Sequence, residues 1–150
     1  MAHEPPRVSG VALPGQLVAL YNANQVALAT FCGTVLAGAI LMTLNERRVG
    51  RASAGWAILG GGVIVSGLLF GVAFLLPENV PSLPISIGPI VAMRFFAQKR
   101  QGMFVNEHLM LGGKKGSGWA AFGIGMACLV AIVIAVVVVA MIYAVATGEV

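Results

Sequence analysis

The sequence predicts an all-α integral membrane protein with four transmembrane helices, the third of them short and proline-containing. Hydrophobic residues make up 59% of the 150 positions and charged residues only 9%, whereas a soluble domain carries about 25% charge to solvate its surface. The mean hydropathy is +0.95, and it is concentrated in long uncharged runs. The net charge of +4 comes from cations between these runs, which is the placement that fixes membrane topology.

The first predicted span is residues 24–44. It holds no charge, and Asn22 or Asn24 can cap its start. About 20 apolar residues match a hydrocarbon core about 30 Å thick. The stretch before it, residues 11–20, is apolar enough to lie at the membrane interface. The cationic segment after it, residues 45–54, is predicted to be a cytoplasmic loop.

The second and fourth predicted spans are residues 55–76 and 119–146, and both are free of charge. The fourth contains four consecutive valines at 136–139. Although β-branched residues lower helix propensity in water, every backbone group in lipid must be bonded internally. The valine run is therefore predicted to be helical.

The third span, residues 82–98, is ambiguous because it is short, contains Pro84 and Pro89, and carries Arg94 near its end. It can cross as a short helix, or it can form a re-entrant or interfacial hairpin. Residues 98–111 can extend the same helix into water.

Charge placement favours the crossing. If residues 82–98 cross, all the interhelical basic clusters lie on one side, and the opposite loop, residues 77–81, has no cation. The positive-inside rule is then obeyed. Four crossings are predicted, with residues 99–118 as a second cytoplasmic loop and both termini non-cytoplasmic. Arg94 would lie about one turn inside the boundary and snorkel outward. The residues predicted to contact lipid headgroups or to set topology are Arg47, Arg48, Arg51, Arg94, Lys99, Arg100, Lys114 and Lys115.

Small residues recur at helical spacing in the spans and predict close helix packing. Because lipid gives little hydrophobic drive between helices, close backbone approach through small residues supplies the attraction. Two interpretations stay open, namely packing within one bundle and an interface with another copy or another membrane protein. The residues in question are Gly62, Ser66, Gly67 and Gly71 in the second span and Gly123, Ala127, Ala131 and Ala135 in the fourth.

No catalytic, cofactor or metal site is predicted. The loop at residues 112–118 is rich in glycine and lysine but lacks the spacing of a phosphate-binding loop. Glu107 and His108 are sequence neighbours that would point about 100° apart on a helix. All five acids lie outside the predicted spans, which argues against proton-coupled transport. The cations form no stripe, so nucleic-acid binding is not predicted.

Short motifs along most of the chain resemble a group of small bacterial multi-spanning membrane proteins. The motifs are Asn24-Gln-Val-Ala-Leu-Ala-Thr-Phe31, Ala37-Gly38, Leu44-Asn45, Gln101-Gly102, His108, Gly112-Gly113 and Gly116-Ser117. That group has no assigned activity, so the resemblance implies an architecture and a bacterial source only.

The sequence therefore predicts a small non-enzymatic membrane protein, an accessory or structural subunit that packs against itself or against a membrane partner. An oligomeric channel or passive transporter is the alternative. The predicted location is the bacterial inner membrane, because outer-membrane proteins are β-barrels with alternating strands. Membrane lipids are the other predicted partners.

Overall fold

The computed structural model describes residues 18–75, 77 and 82–148, without the side chains of residues 74 and 82–86. Four helices make up the fold: α1 (Ala23–Arg48), α2 (Ala52–Leu75), α3 (Ser82–Met110) and α4 (Gly118–Thr147). The prediction of an all-α chain with four helices is confirmed. Most of the predicted interfacial stretch at 11–20, most of the predicted loop at 77–81 and the side chain of Pro84 lie outside the described residues.

Helix α1 consists of two helical arms folded back on each other. Gly33 (φ −136°, ψ 25°) and Thr34 (φ 69°, ψ 179°) leave helical geometry and divide α1 into arms of residues 23–32 and 35–48. The Tyr21 N–H, just before the first arm, donates to Oδ1 of Asn45, near the end of the second, at 2.8 Å across 24 positions. A continuous helix would separate these residues by about 36 Å. The arms therefore run antiparallel.

We call α1 the hairpin, with its tip at Gly33 and Thr34 and its base at residues 20–22 and 45–51. The arms approach closely because Gly38, in the second arm, has no side chain. A Cβ there would overlap the Thr30 hydroxyl of the first arm.

The first arm begins with a capping box. The Asn22 side chain accepts from the Gln25 N–H, and the Gln25 side chain accepts from the Asn22 N–H, both at 3.0 Å. Asn22 is thus the helix cap, one of the two candidates that the sequence offered.

Helices α2, α3 and α4 each pack on the hairpin and hardly contact one another. The start of α2 meets the second arm, where a Cβ on Gly55 would lie 3.2 Å from Thr43. One face of α3 meets the second arm as well, with Gln101 bonded to Asn45. The first part of α4 packs on the first arm, with Gly125 against Cys32. The hairpin is therefore the centre of the molecule, and most of the buried apolar core belongs to it.

Two predicted features, the short third helix and the unbroken first crossing, need correction. In the part of the chain that the structure describes, the helices long and apolar enough to cross a membrane are α1, residues Ala52–Ala73 of α2, and α4. Helix α3 is not short, since it has 29 residues with Pro89 inside and includes the predicted extension beyond residue 98. The predicted first crossing, residues 24–44, is wrong as one continuous rod, because each arm of the hairpin is only about 15–20 Å long.

The folded hairpin also fixes where the first described residues lie relative to the last. Residues 18–22 lie at the hairpin base beside Lys114, where α4 is about to begin. The 30 residues of α4 then lead about 45 Å away from that base. The first and last described residues therefore lie at opposite ends of the bundle.

Candidate functional site at the base of the hairpin

A cluster of buried polar side chains closes the hairpin at its base. Asn45 and Glu46 are completely buried, Gln101 is 2% exposed and Gln25 is 7% exposed. Sequence analysis had assigned Asn45 and Glu46 to a cationic loop. Burying polar groups is unfavourable unless they are hydrogen-bonded, so the partners of these side chains define the site.

Asn45 joins three parts of the chain. Its Oδ1 accepts from the Tyr21 N–H at 2.8 Å, and its Nδ2 donates to the Tyr21 carbonyl at 2.7 Å. The same Nδ2 donates to Oε1 of Gln101, on α3, at 3.0 Å. One side-chain amide thus pairs with the backbone before the hairpin and fixes the middle of α3 to it.

Gln101 extends the network along the second arm. Its Nε2 donates to the Met42 carbonyl at 2.9 Å and to Oε1 of Glu46 at 3.0 Å. Its amide oxygen is used by Asn45. Both amide groups are therefore fully engaged, and α3 cannot shift along the hairpin without breaking several buried bonds.

Glu46 is balanced by Arg51, in the connection to α2. Arg51 binds both carboxylate oxygens, through Nε at 2.7 Å and Nη2 at 3.0 Å, which is the strong bidentate geometry. The hydrogen bonds that Arg51 donates to Glu46 raise the pKa of its guanidinium above its ordinary value. The guanidinium also lies over the Phe104 ring, 5.2 Å from its centroid. The buried carboxylate is thus neutralised by a charge that never titrates at working pH.

The segment before the hairpin is held against the segment before α4. The Leu20 N–H donates to the Lys114 carbonyl at 3.0 Å, and the Gly116 N–H donates to the Leu20 carbonyl at 2.8 Å. The Gln25 side chain donates to the Gly116 carbonyl. Gly116 is required here because a Cβ would collide with the Tyr21 ring.

The cations that the sequence predicts to contact headgroups lie around this base. Several of them already interact with other groups of the protein. Arg48 donates to the Ala19 carbonyl and lies over the Tyr21 ring, 5.2 Å from its centroid. Arg47 lies 5.7 Å from the centroid of Trp56. Arg94 donates to Asn24 Oδ1 at 3.1 Å. Lys99 and Arg100 are exposed on α3 next to Gln101, and Lys114 and Lys115 are exposed beside Leu20.

The predicted small-residue strips divide into inward and outward positions. Gly62 and Ser66 are buried, and a Cβ on Gly62 would overlap Ala39 of the second arm. Gly67, Gly71 and Gly123 have open space where a Cβ would stand.

Ala127, Ala131 and Ala135 line an apolar groove of about 550 Å³ between α4 and the second arm. We call this the outer groove. Its opposite wall is formed by Leu36 and Ile40.

The hairpin tip makes a close helix approach through two glycines. A Cβ on Gly33, at the hairpin tip, would collide with the backbone of Gly125 in α4, and a Cβ on Gly125 would stand 2.8 Å from Cβ of Cys32. Near this tip two hydroxyls, those of Thr34 and Ser66, are buried without a hydrogen-bond partner.

The site has the chemistry of a structural clamp. Both oxygens of Glu46 accept hydrogen bonds within the protein. Within the described residues no three His, Cys, Asp or Glu side chains converge as a metal site would require. The ring of His108 packs on Gly113, and Glu107 is exposed.

The fold and site define a helical bundle. Three of its described helices are apolar and long enough to span a membrane, and one of these three, α1, is folded into the clamped hairpin. No family model, no curated protein and no solved structure matches the chain.

Proposed function

We propose that this chain is a small non-enzymatic protein of the bacterial inner membrane, a structural subunit that assembles with copies of itself through the outward faces of α2 and α4. The observation that carries the proposal is that α2, α3 and α4 pack on the hairpin and hardly on one another. A half-length hairpin cannot cover three long helices, so their far halves are left available to partners.

The exposed apolar surface supports insertion in a membrane. Only 6% of the most apolar stretch of α4 and 17% of that of α2 are buried. Exposed apolar area on this scale is rare on soluble monomers but carries no penalty in lipid. Both helices also exceed the length needed to cross the hydrocarbon core.

The basic residues around the base support an orientation with that base on the cytoplasmic side. Helices α2, α3 and α4 then cross in turn, and the hairpin enters and leaves from the cytoplasmic side. Irregular backbone within a membrane is tolerated where protein buries it. The contact of Gly33 with Gly125 meets that requirement at the hairpin tip.

The small residues support self-assembly. The outer groove has a floor of alanines that lets a foreign helix approach closely. The chain offers such a helix in α2, whose Gly60, Gly67 and Gly71 have open space around them. Because this contact joins two different faces, repeated copies form a ring if the rotation closes.

The test is native mass spectrometry of the purified protein, with Ala131→Leu compared with Ala140→Leu. Both alanines are exposed on α4, and at about 100° of rotation per residue they lie on opposite faces. We expect a discrete homo-oligomer that Ala131→Leu dissociates and Ala140→Leu leaves intact. A wild-type monomer would contradict self-assembly, and a stoichiometric foreign protein would replace it with an accessory role.

An oligomeric channel or passive transporter is a second candidate, favoured by the tip of the hairpin. Broken helices and polar groups near the bilayer midplane are typical of permeation paths, and the Thr34 and Ser66 hydroxyls lack partners there. The test is solute flux from liposomes that contain only this protein. A path through the tip requires flux in the wild type and altered flux in Thr34→Val.

A further inference from the structure

A second groove lies between α2 and α3, with the second arm of the hairpin as its floor. It has a volume of about 420 Å³, within the range of small-ligand pockets. We call it the α2–α3 groove. It exists because these two helices pack on the hairpin and leave a gap between themselves. Its lining includes Ala39, Gly61, Val65, Met93, Phe96 and Arg100.

The shape and chemistry of the groove change from one end to the other. Along α2 its lining runs from Ala57 to Val65, about 12 Å along a helix axis. The inner end is entirely apolar. The end near the hairpin base carries Arg100, which is the one charged residue among the lining residues.

The charge of Arg100 is available to a ligand. In the described part of the chain it forms no salt bridge. Glu46, the carboxylate that interacts with it electrostatically, already binds Arg51 through both oxygens. Arg47 adds charge near the same mouth, because it lies over the ring of Trp56, the residue before Ala57. An exposed tryptophan beside arginines is typical of headgroup depth.

We propose that the α2–α3 groove binds an anionic phospholipid, with one acyl chain along Val65 and Met93 and the phosphate paired with Arg100. An apolar cleft that carries a cation at the end near the basic hairpin base matches this amphiphile at both ends. Basic pockets between membrane helices on the cytoplasmic side bind such headgroups. The site rests on insertion in a membrane, as proposed above, but not on self-assembly.

The test measures retention of phosphatidylglycerol by native mass spectrometry after release from nanodiscs that contain phosphatidylglycerol and phosphatidylcholine. The charge variant is Arg100→Gln, and its control is Lys99→Gln, which removes the same charge one residue away, outside the groove lining. The steric variant is Gly61→Leu, and its control is Gly88→Leu, on α3 and outside the face proposed for self-assembly. Neither glycine has atoms within 4 Å of its Cβ position, but only Gly61 lines the groove.

We expect one retained phosphatidylglycerol per chain and little retained phosphatidylcholine. Arg100→Gln and Gly61→Leu should each lower retention by about tenfold, the effect of losing one charge-assisted hydrogen bond or its equivalent in packing. Both controls should stay within about twofold. Equal loss in Lys99→Gln and Arg100→Gln, or equal retention of both lipids, would overturn the proposal. Oligomer mass in the same spectra reports self-assembly separately, so the two proposals fail independently.

Discussion

The side-chain amide of Asn45 forms two hydrogen bonds with the backbone of Tyr21, at 2.8 and 2.7 Å, although 24 positions separate them. The same amide reaches Gln101 on α3. A single buried residue thus closes the hairpin and attaches α3 to it. The fold of α1 depends on this clamp, because the tip holds a strained residue and the arms are short.

Removing the clamp should destabilise the whole bundle. Asn45→Ala removes three buried hydrogen bonds and leaves their partners unsatisfied, so we expect a loss of about 2–4 kcal/mol in unfolding free energy. Reversible unfolding in mixed micelles, followed by circular dichroism, measures it. The matched control is Asn106→Ala, an exposed asparagine on α3, which should change stability by less than about 0.5 kcal/mol. Equal effects of the two variants would show that the base is not a clamp.

The two residues of the ion pair at the base should differ in how far their substitution lowers the unfolding free energy. The Glu46 side chain is fully buried, whereas that of Arg51 is 52% exposed. Arg51→Gln leaves a buried unpaired carboxylate and should cost about 3 kcal/mol, whereas Glu46→Gln leaves a cation that can turn to water and should cost less.

A double-mutant cycle measures this coupling directly. In the double variant Glu46→Gln with Arg51→Gln the buried charge is gone, so stability should return toward that of Glu46→Gln alone. Additive losses in unfolding free energy would contradict the pairing.

The hairpin tip stores backbone strain that glycine should relieve. Thr34 has φ 69° and ψ 179°, a region populated almost only by glycine, in which other residues lose about 1–3 kcal/mol. Thr34→Gly should therefore raise the unfolding free energy by about 1 kcal/mol. Ala37→Gly, within the second arm, should lower it by about 1 kcal/mol because helical glycine is unfavourable. A loss of stability in both variants would mean that Thr34 is not strained.

The docking of α4 should tolerate no side chain at Gly125. Gly125→Ala places a Cβ 2.8 Å from Cβ of Cys32 and 3.1 Å from the Ala29 carbonyl, and such overpacking costs about 1–3 kcal/mol. Two residues earlier, Gly123 faces open space, so Gly123→Ala should be neutral or stabilising by up to about 1 kcal/mol. The unfolding free energies of the two variants, measured side by side, test the contact between Gly125 and the first arm. Similar values would argue against this contact.

Sequence patterns predicted the helices well and the hairpin not at all. The start of α2 was placed at residue 55 and lies at Ala52, and that of α4 was placed at residue 119 and lies at Gly118, because long uncharged runs leave little choice. The break at Gly33 and Thr34 has no local signal. Glycine is common within apolar helices, and threonine has no preference for positive φ. The break is set by contacts distant in sequence, with Gly125 at the tip and Tyr21 at the base.

The base network was missed because its members lie in segments that look like polar loops. Glu46 was grouped with the arginines after the first span, yet it is completely buried. Asn45, Gln101 and Gly116 all belong to the short motifs on which the predicted resemblance rests, and the structure brings all three to the base. The predicted small-residue strips contain both inward and outward positions, because spacing along the sequence identifies one face of a helix but not what covers that face.

The most direct test of the hairpin is the distance between spin labels at positions 24 and 47, measured by double electron–electron resonance in lipid nanodiscs. Asn24 and Arg47 are exposed at the start and the end of α1, and Cys32 and Cys128 are replaced by alanine beforehand. Antiparallel arms have axes about 8–10 Å apart, so we expect a distribution centred below about 20 Å once the label linkers are included. A distribution centred near 35 Å or beyond, the length of a continuous helix between these residues, would contradict the hairpin and restore a single crossing by α1.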